Sequence, residues 1–290
     1  MTIPLPDPID WQPHTWEEVV GCEDVVARYK EVVYGVRIMG LKRGFNTLVT
    51  GKPRTGKTCL TRFAIRCLCC QELDLLTLNP CPGTCSACRE NPDAYGLFGF
   101  QNHASIFDQA EGRTPIEFHY IPVDCTADLS PKVLEDTVLS ITRQTRLGLK
   151  ILVIVYFDEV HDLAKKGLDA MMLKPLEDHA VIWLATSAYA GKDPIPGRSK
   201  TLNEMFLARF ERFRTSLPSI QALASFLFDR CREYGITVEA PIKGTLTRLA
   251  ERSGQSHYRA MRLISRVWKK PLPERHLTLK MVEDFDVGEE

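Results

Sequence analysis

The sequence predicts an α/β protein, a parallel sheet flanked by helices and carrying a phosphate-binding loop, followed by a small all-α domain. Three observations predict it. The strand-like stretch Phe45 to Thr50 runs into the glycine loop Gly51 to Thr58 and then into a helical pattern. The runs Ile151 to Phe157 and Val181 to Ala185 are continuously apolar, as parallel strands covered on both faces are. From Leu202 to Lys270 the pattern becomes mainly helical.

The elements follow in order. The proline-rich start, to about Pro13, reads as extended, and Trp16 to Arg37 as helical, with Val19, Val20, Val25, Val26, Tyr29, Val32 and Val33 as its apolar positions. After the loop, Leu60, Phe63, Ala64, Cys67 and Leu68 place a helix over Thr58 to Cys70. Periodicity vanishes from Asn79 to Pro115, which reads as an insertion outside the core, within a cysteine-rich stretch of about 67–115. Ile116 to Val123 is a weaker strand, and helices are expected at Lys132 to Arg146 and Lys165 to Leu176. Ala190 to Lys200 reads as a loop and the acidic end, Glu283 to Glu290, as solvated.

Composition narrows the function classes. With 290 residues there is room for one large and one small domain, and 44% apolar with 26% charged residues is ordinary for a globular chain. The 37 basic and 37 acidic residues cancel, so no global field draws the protein to nucleic acid or membrane. The longest apolar run, Ile151 to Phe157, is far short of the ~20 residues that span a bilayer, and the N-terminus has no signal-peptide pattern. A cytoplasmic protein with no membrane contact is expected. Its ten cysteines then point to metal ligation where they cluster, rather than to a disulfide framework.

Gly51-Lys52-Pro53-Arg54-Thr55-Gly56-Lys57-Thr58 fits G-x-x-x-x-G-K-[ST]. In that motif backbone N–H groups cradle phosphates, the lysine reaches the β and γ oxygens, and the threonine hydroxyl holds Mg²⁺; Cys59 follows in the first turn of the helix. The matching acidic half closes the strand Ile151 to Phe157, where Asp158 is suited to support Mg²⁺ and Glu159 to polarise the attacking water as general base. ATP and Mg²⁺ are the expected cofactors.

With both motifs placed, the chain resembles the AAA+ family of P-loop ATPases, and within it most closely the clamp-loader ATPase subunits of DNA replication. The resemblance runs from about Trp11 to Trp268. It rests on WQPHTWEEVVG, the loop GKPRTGKT, the run CPGTCSACRE, FDEVHDLAKKGLDAMMLKPLED, WLATS, LARF and SGQSHYRAM. It implies an AAA+ core over 11–212 and a helical lid over 213–290. It also implies adenine contact by Val19 and Val20, and a first sensor at Thr186 acting on the γ-phosphate or its water. Arg209, with Arg212 as the alternative, would reach a neighbouring subunit's site in trans, and Arg259 would contact the nucleotide from its own chain. Cys81, Cys85 and Cys88 are similar to the zinc module of bacterial clamp-loader subunits, with a fourth ligand among Cys70, Cys69 and Cys67.

Arg259, Arg262, Arg266 and Lys269 recur at helical spacing, a basic stripe suited to phosphate-backbone contact. The expected function is an oligomeric, DNA-associated ATPase like a clamp loader, although the chain ends without that family's collar domain. The alternatives are an AAA+ regulator of DNA transposition and a nucleotide-dependent protein-interaction switch. The protein partner would accordingly be a clamp or a recombination or transposition factor.

Overall fold

The computed structural model describes residues 7–41, 45–85, 87–88, 103–105, 117–127, 129–139, 151–177, 181–189 and 202–285. The chain begins with 3-10 turns at Pro8–Asp10 and Trp16–Glu18, then α1 (Glu23–Arg37), β1 (Thr47–Thr50) and α2 (Lys57–Cys69). Next come β2 (His103–Ser105), β3 (Glu117–Asp124), α3 (Pro131–Leu134) with a π turn at Glu135–Leu139, β4 (Ile151–Asp158) and α4 (His161–Lys166). Two 3-10 turns, Asp169–Met172 and Pro175–Glu177, lead to β5 (Val181–Ser187), α5 (Glu204–Leu207) and β6 (Glu211–Arg214). The lid holds α6 (Ile220–Glu233), β7 (Thr237–Val238), α7 (Ile242–Arg252), α8 (His257–Trp268), β8 (His276–Leu277) and α9 (Leu279–Glu283).

The large sheet has the order β2-β3-β4-β5-β1-β6, all parallel except that β2 runs antiparallel to β3. Its apolar strands are explained by what covers them. Val153, Val155 and Phe157 of β4 pack into one core with Val181, Trp183 and Ala185 of β5, while Ile154, Tyr156, Ile182 and Leu184 face the other. Successive side chains point to opposite faces of a strand, so a sheet buried on both sides needs an apolar residue at every position. The face with Ile154 is covered by α1, α2 and Trp16, and the other by α3, α4, α5 and the adjoining turns. A third core belongs to the lid, with Leu223, Leu227, Leu246, Leu249, Ile264 and Val282. Among the described residues no helix is long and apolar enough to cross a membrane.

The structure departs from the expectations in several places. The helix expected over Lys165 to Leu176 is α4, displaced toward the N-terminus and stopped at Gly167, whose φ of +71 takes the left-handed cap conformation, and then two 3-10 turns. The helix expected from Lys132 lasts only through the π turn at Leu139; its remainder, 140–146, lies outside the described residues. The expected helical pattern after Leu202 is interrupted by β6, so the sheet continues to Arg214. The lid is not purely helical, since β7 and β8 pair in parallel. The cysteine stretch was expected outside the core, yet Leu78, Cys81, Cys85, Ala87 and Cys88 are buried against α1 and α2. Glu283, expected in a solvated end, is exposed as it closes α9 and pairs with Arg248 at 2.7 Å, whereas Phe285 in the same end is buried. The loop 190–200, the positions 286–290 and most of 89–116 lie outside the described residues.

Gly35 of α1 shows how tightly this core closes: a Cβ there would lie 2.5 Å from Cζ of Phe45. Gly35→Ala is therefore expected to lower stability by about 1–3 kcal/mol through overpacking. Urea unfolding measures it, with Phe45→Leu as the background that should recover part of the loss. An unchanged midpoint would mean that the Phe45 ring moves aside at no cost.

Candidate functional site

The glycine loop leaves the carboxyl end of β1, and its shape depends on residues without side chains. Gly51 has φ +151, and a Cβ there would fall 2.1 Å from Thr215 Oγ1; Gly56, at φ +81, caps α2. The Lys57 ammonium donates to the carbonyls of Gly51 and Lys52, each at 3.0 Å, and Thr55 Oγ1 donates to Lys52 O at 2.8 Å. Thr215, just past β6, supports the loop from behind, with its Oγ1 2.5 Å from Thr55 Oγ1 and its N–H donating to Thr50 O at 2.8 Å. Burial lowers the pKa of Lys57, opposed by the nearby Glu159 and Asp158 carboxylates.

Asp158 ends β4 facing this loop. Its Oδ1 accepts hydrogen bonds from Thr58 at 3.0 Å, Tyr156 at 2.8 Å and Thr186 at 2.6 Å, while Arg62 lies 3.9 Å from Oδ2. Thr58 Oγ1 and Asp158 Oδ1 are hard oxygen donors side by side, the ligand chemistry that suits Mg²⁺. Thr186 Oγ1 also accepts the Glu159 N–H at 3.2 Å. Glu159 has φ +52, uncommon for a residue with a side chain, and its Oε2 accepts from Ala188 N at 2.9 Å and lies 3.2 Å from His161 Nδ1. Although burial alone would raise it, the His161 hydrogen bond, the Lys57 charge and the Ala188 N–H hold the Glu159 carboxyl below the usual glutamate range. It is thus an ionised carboxylate whose Oε2 is held by two groups. His161, buried edge-on against Tyr189, was missed in the sequence because a histidine after D-E reads as ordinary helix start.

A cavity of about 390 Å³ opens beside the loop. Its walls come from Pro53 to Cys59 and Glu159 in the core, from His257, Tyr258 and Met261 in the lid, and from a strap over Pro8 to Cys22 that includes Val19 and Val20. The strap bridges core and lid, since Val19 packs against the α1/α2 core and Val20 and Trp11 against the lid core. Cys59 donates to Gln12 Oε1 at 3.3 Å, and burial pushes its thiol up to about 12.

None of Arg209, Arg212 and Arg259 lines this cavity, as the trans role expected of the first two allows. Arg259, in the first turn of α8, is not among the residues that line the cavity; its guanidinium lies by Gly254. Arg209 donates to Met205 O at 2.6 Å and pairs with Glu177 at 2.5 Å, and Arg212 is exposed on β6. Two members of the basic stripe have partners within the chain: Lys269, its side chain 62% exposed, pairs with Asp7 at 2.7 Å, and Arg266 lies over the Phe285 ring at 5.5 Å.

The cysteines do come together. The Sγ atoms of Cys70, Cys81, Cys85 and Cys88 all lie within 4.8 Å of one another and are buried. Cys70, turned out of α2 at its C-cap (φ −64, ψ 125), supplies the fourth thiol, whereas Cys67 and Cys69 remain buried in the α1/α2 core, where burial raises both thiols. Sulfurs at this separation fit the tetrahedral Cys₄ geometry of zinc, with Zn–S of ~2.3 Å. Backbone N–H groups of Cys81, Cys85 and Cys88 point at Cys70, Cys81 and Cys85 sulfurs at 3.2, 3.5 and 3.4 Å, as charged thiolates favour.

No protein-family model matches the chain, and no curated protein matches it. Solved structures do. One is the Thermotoga maritima RuvB Holliday junction branch migration motor, at TM-score 0.57 and 13% identity, covering 94% of this chain and 70% of that one. A single-residue variant of the same protein matches at TM-score 0.56 and 13% identity, covering 94% and 72%. The fold shared with these structures is an α/β fold, a parallel sheet flanked by helices. At this identity the likeness speaks for the fold and not for the clamp loaders in particular.

His257, on the lid side of the cavity, is held neutral by burial, with its pKa lowered to about 4. Such a group favours the folded state fully above its unfolded value of 6.5 and loses that contribution as pH falls toward 4. Urea midpoints measured from pH 7 to 4.5 are expected to fall less steeply for His257→Leu than for the wild type. Parallel curves would remove His257 as a source of acid sensitivity.

Proposed function

We propose that the chain is an AAA+ ATPase that hydrolyses ATP within a DNA-associated assembly. The observation that carries the hydrolysis is the meeting of Thr58, Thr186 and Asp158 at one carboxylate oxygen, beside the glycine loop and with Glu159 fixed one residue on. The phosphates bind at Gly51 to Thr58, Lys57 exchanges the Gly51 and Lys52 carbonyls for phosphate oxygens, and Val19 and Val20 face the base. Thr58 and Asp158 hold Mg²⁺, which when bound neutralises charge on the phosphates. Glu159 accepts the proton of the attacking water, and Thr186, bonded to both Asp158 and the Glu159 N–H, fixes their relative positions. Arg209, or Arg212, completes a neighbour's site in trans, and Arg259 reaches the nucleotide once the lid shifts. Cys70, Cys81, Cys85 and Cys88 hold one structural Zn²⁺.

The DNA association has two supports. The motifs from WQPHTWEEVVG to SGQSHYRAM resemble clamp-loader subunits, and the fold is similar to the RuvB motor. On this reading the partner is DNA together with a clamp or another recombination or transposition factor, and the chain works as an oligomer.

Lys57→Ala is expected to weaken binding of a slowly hydrolysed ATP analogue severely. Glu159→Gln should bind normally and lose about 10²–10⁴ in kcat, and His161→Leu, which removes one group from Glu159 Oε2, should lose about tenfold with affinity unchanged. Steady-state turnover in Glu159→Gln equal to wild type would sink the base assignment. DNA-stimulated turnover tests the wider reading, and rates indifferent to duplex, forked and single-stranded DNA would count against it.

Arg209→Ala is expected to bind ATP, assemble and hydrolyse poorly, since a trans arginine contributes roughly 10³–10⁵ in rate. Mixed with Lys57→Ala, whose Arg209 is intact, it should regain turnover at mixed interfaces. Additive inactivity in confirmed mixed assemblies would assign Arg209 a structural role or pass the function to Arg212.

A further inference from the structure

The cysteine cluster takes no part in the chemistry proposed above, yet the loop that it closes grips a wall of the cavity. Between Cys70 and Cys81 the chain folds on itself, with Asp74 N–H donating to Asn79 O at 3.0 Å and Leu78 N–H to Asp74 O at 2.7 Å. Leu78 is held at φ +59, an unfavourable conformation for a bulky side chain that persists only where the surroundings enforce it. This places two acceptors against the strap. Trp16 Nε1 donates to Leu78 O at 2.8 Å, and Trp16 N–H to Asn79 Oδ1 at 2.9 Å. Asn79 Nδ2 returns a hydrogen bond to Glu17 Oε2 at 3.1 Å.

Trp16 is 2% exposed, edge-on to Phe63 of α2 at 4.7 Å, and Val19 N–H bonds to its carbonyl at 3.2 Å. Other anchors of the strap go to the lid: Trp11 packs on Phe226 at 4.9 Å, Glu18 lies 3.5 Å from Arg230, and Asp7 pairs with Lys269. The Trp16 contact with the cysteine loop therefore registers the strap against the core that carries the glycine loop.

We propose that zinc held by Cys70, Cys81, Cys85 and Cys88 braces the nucleotide pocket. By closing the loop it fixes Leu78 and Asn79, these hold Trp16, and Trp16 sets the wall at Val19 and Val20, so that zinc and nucleotide binding are coupled. The inference rests on the nucleotide-site reading above. Without a metal the four buried thiols offer one another only weak S–H contacts, beside the backbone N–H contacts to sulfur and the Arg66 bond to the Cys81 carbonyl, whereas metal binding adds its own free energy to folding of the segment it closes. Coupling of this kind is reciprocal in affinity, so nucleotide must also tighten the binding of zinc.

The test uses the full chain purified without chelator. Zinc is measured by elemental analysis, nucleotide affinity with a fluorescent, slowly hydrolysed ATP analogue, and zinc affinity by equilibrium competition with a chelating dye. Wild type should hold one zinc per chain, bind the analogue, and hold zinc about fivefold more tightly against the dye when the analogue is bound. Asn79→Ala should keep its zinc, bind the analogue about fivefold more weakly, and retain kcat at saturating ATP within about twofold; Trp16→Phe, which keeps ring packing but loses the Nε1 donor, should shift in the same direction. A KM effect without a kcat effect is what a positioning role gives and a partly unfolded sample does not. Wild type that binds no nucleotide would end the nucleotide reading and this inference with it. Normal nucleotide binding in wild type without zinc, or in Asn79→Ala and Trp16→Phe alike, or zinc affinity indifferent to nucleotide, would overturn the brace alone.

Discussion

One carboxylate oxygen organises the site. Asp158 Oδ1 accepts hydroxyl hydrogen bonds from three elements, Thr58 of α2, Tyr156 of its own β4 and Thr186 of β5. A half-buried carboxylate without donors would be costly, and its three partners offset that cost only if β4, β5 and the start of α2 keep their present register. The sheet order supplies that register. With β1 beside β5 and β5 beside β4, all parallel, three carboxyl ends open at the same edge, and the loop from β1 delivers Thr58 there. Glu159 inherits its place from the same arrangement through the Thr186 hydroxyl and the Ala188 N–H.

Burial explains which parts of this were legible in the sequence. β4 and β5 carry an apolar residue on each face at nearly every position, and that pattern survives in the sequence because both layers demand it. β6 does not show it. Glu-Arg-Phe-Arg is an edge strand bonded through its backbone to β1, with exposed Glu211, Arg212 and Arg214, so its side chains carry no strand signal. Asp158 and Glu159 were legible because two acids directly after a wholly apolar strand sit where burial is costly unless something there uses their charge. Thr215 and His161 were not, since their partners Thr55 and Glu159 are assigned by the fold and not by spacing. The cysteines illustrate the same limit: Cys67, Cys69 and Cys70 are equivalent by count, and only the extended C-cap conformation of Cys70 turns its sulfur toward Cys81.

The strap from Pro8 to Cys22 belongs to neither layer. In the sequence it reads as a proline-rich lead-in to Pro13 and then as the start of a helix from Trp16, but the helix begins only at Glu23, and the side chains before it are divided between two cores, Trp16 and Val19 in one and Trp11 and Val20 in the other. A segment divided in this way makes the cavity wall depend on both domains at once. It also accounts for the fate of the basic stripe. Lys269 is held by Asp7, and Ser265 donates to the same carboxylate at 2.5 Å, so part of the charge that the sequence displays on α8 anchors the strap. Net charge at the surface cannot be read from spacing when an acidic partner arrives from more than two hundred residues away, as Asp7 does.

The same distinction bears on the trans arginine. Arg209 is occupied in its own chain by Glu177 and the Met205 carbonyl, which at first sight removes it from service to a neighbour. The strength of those ties decides otherwise. Glu177 has a side chain 60% exposed, and ion pairs at such a surface contribute roughly 0–1 kcal/mol. A phosphoryl group gathering negative charge in a water-poor interface offers the same guanidinium several times that. On the proposed function, exchange of Glu177 for a neighbour's phosphate is therefore favourable on assembly, and until then the pair keeps the guanidinium oriented beside the amino end of β6. Arg212, on the exposed strand β6, has no such orienting pair among the described residues, so of the two it enters an interface with more side-chain freedom to lose.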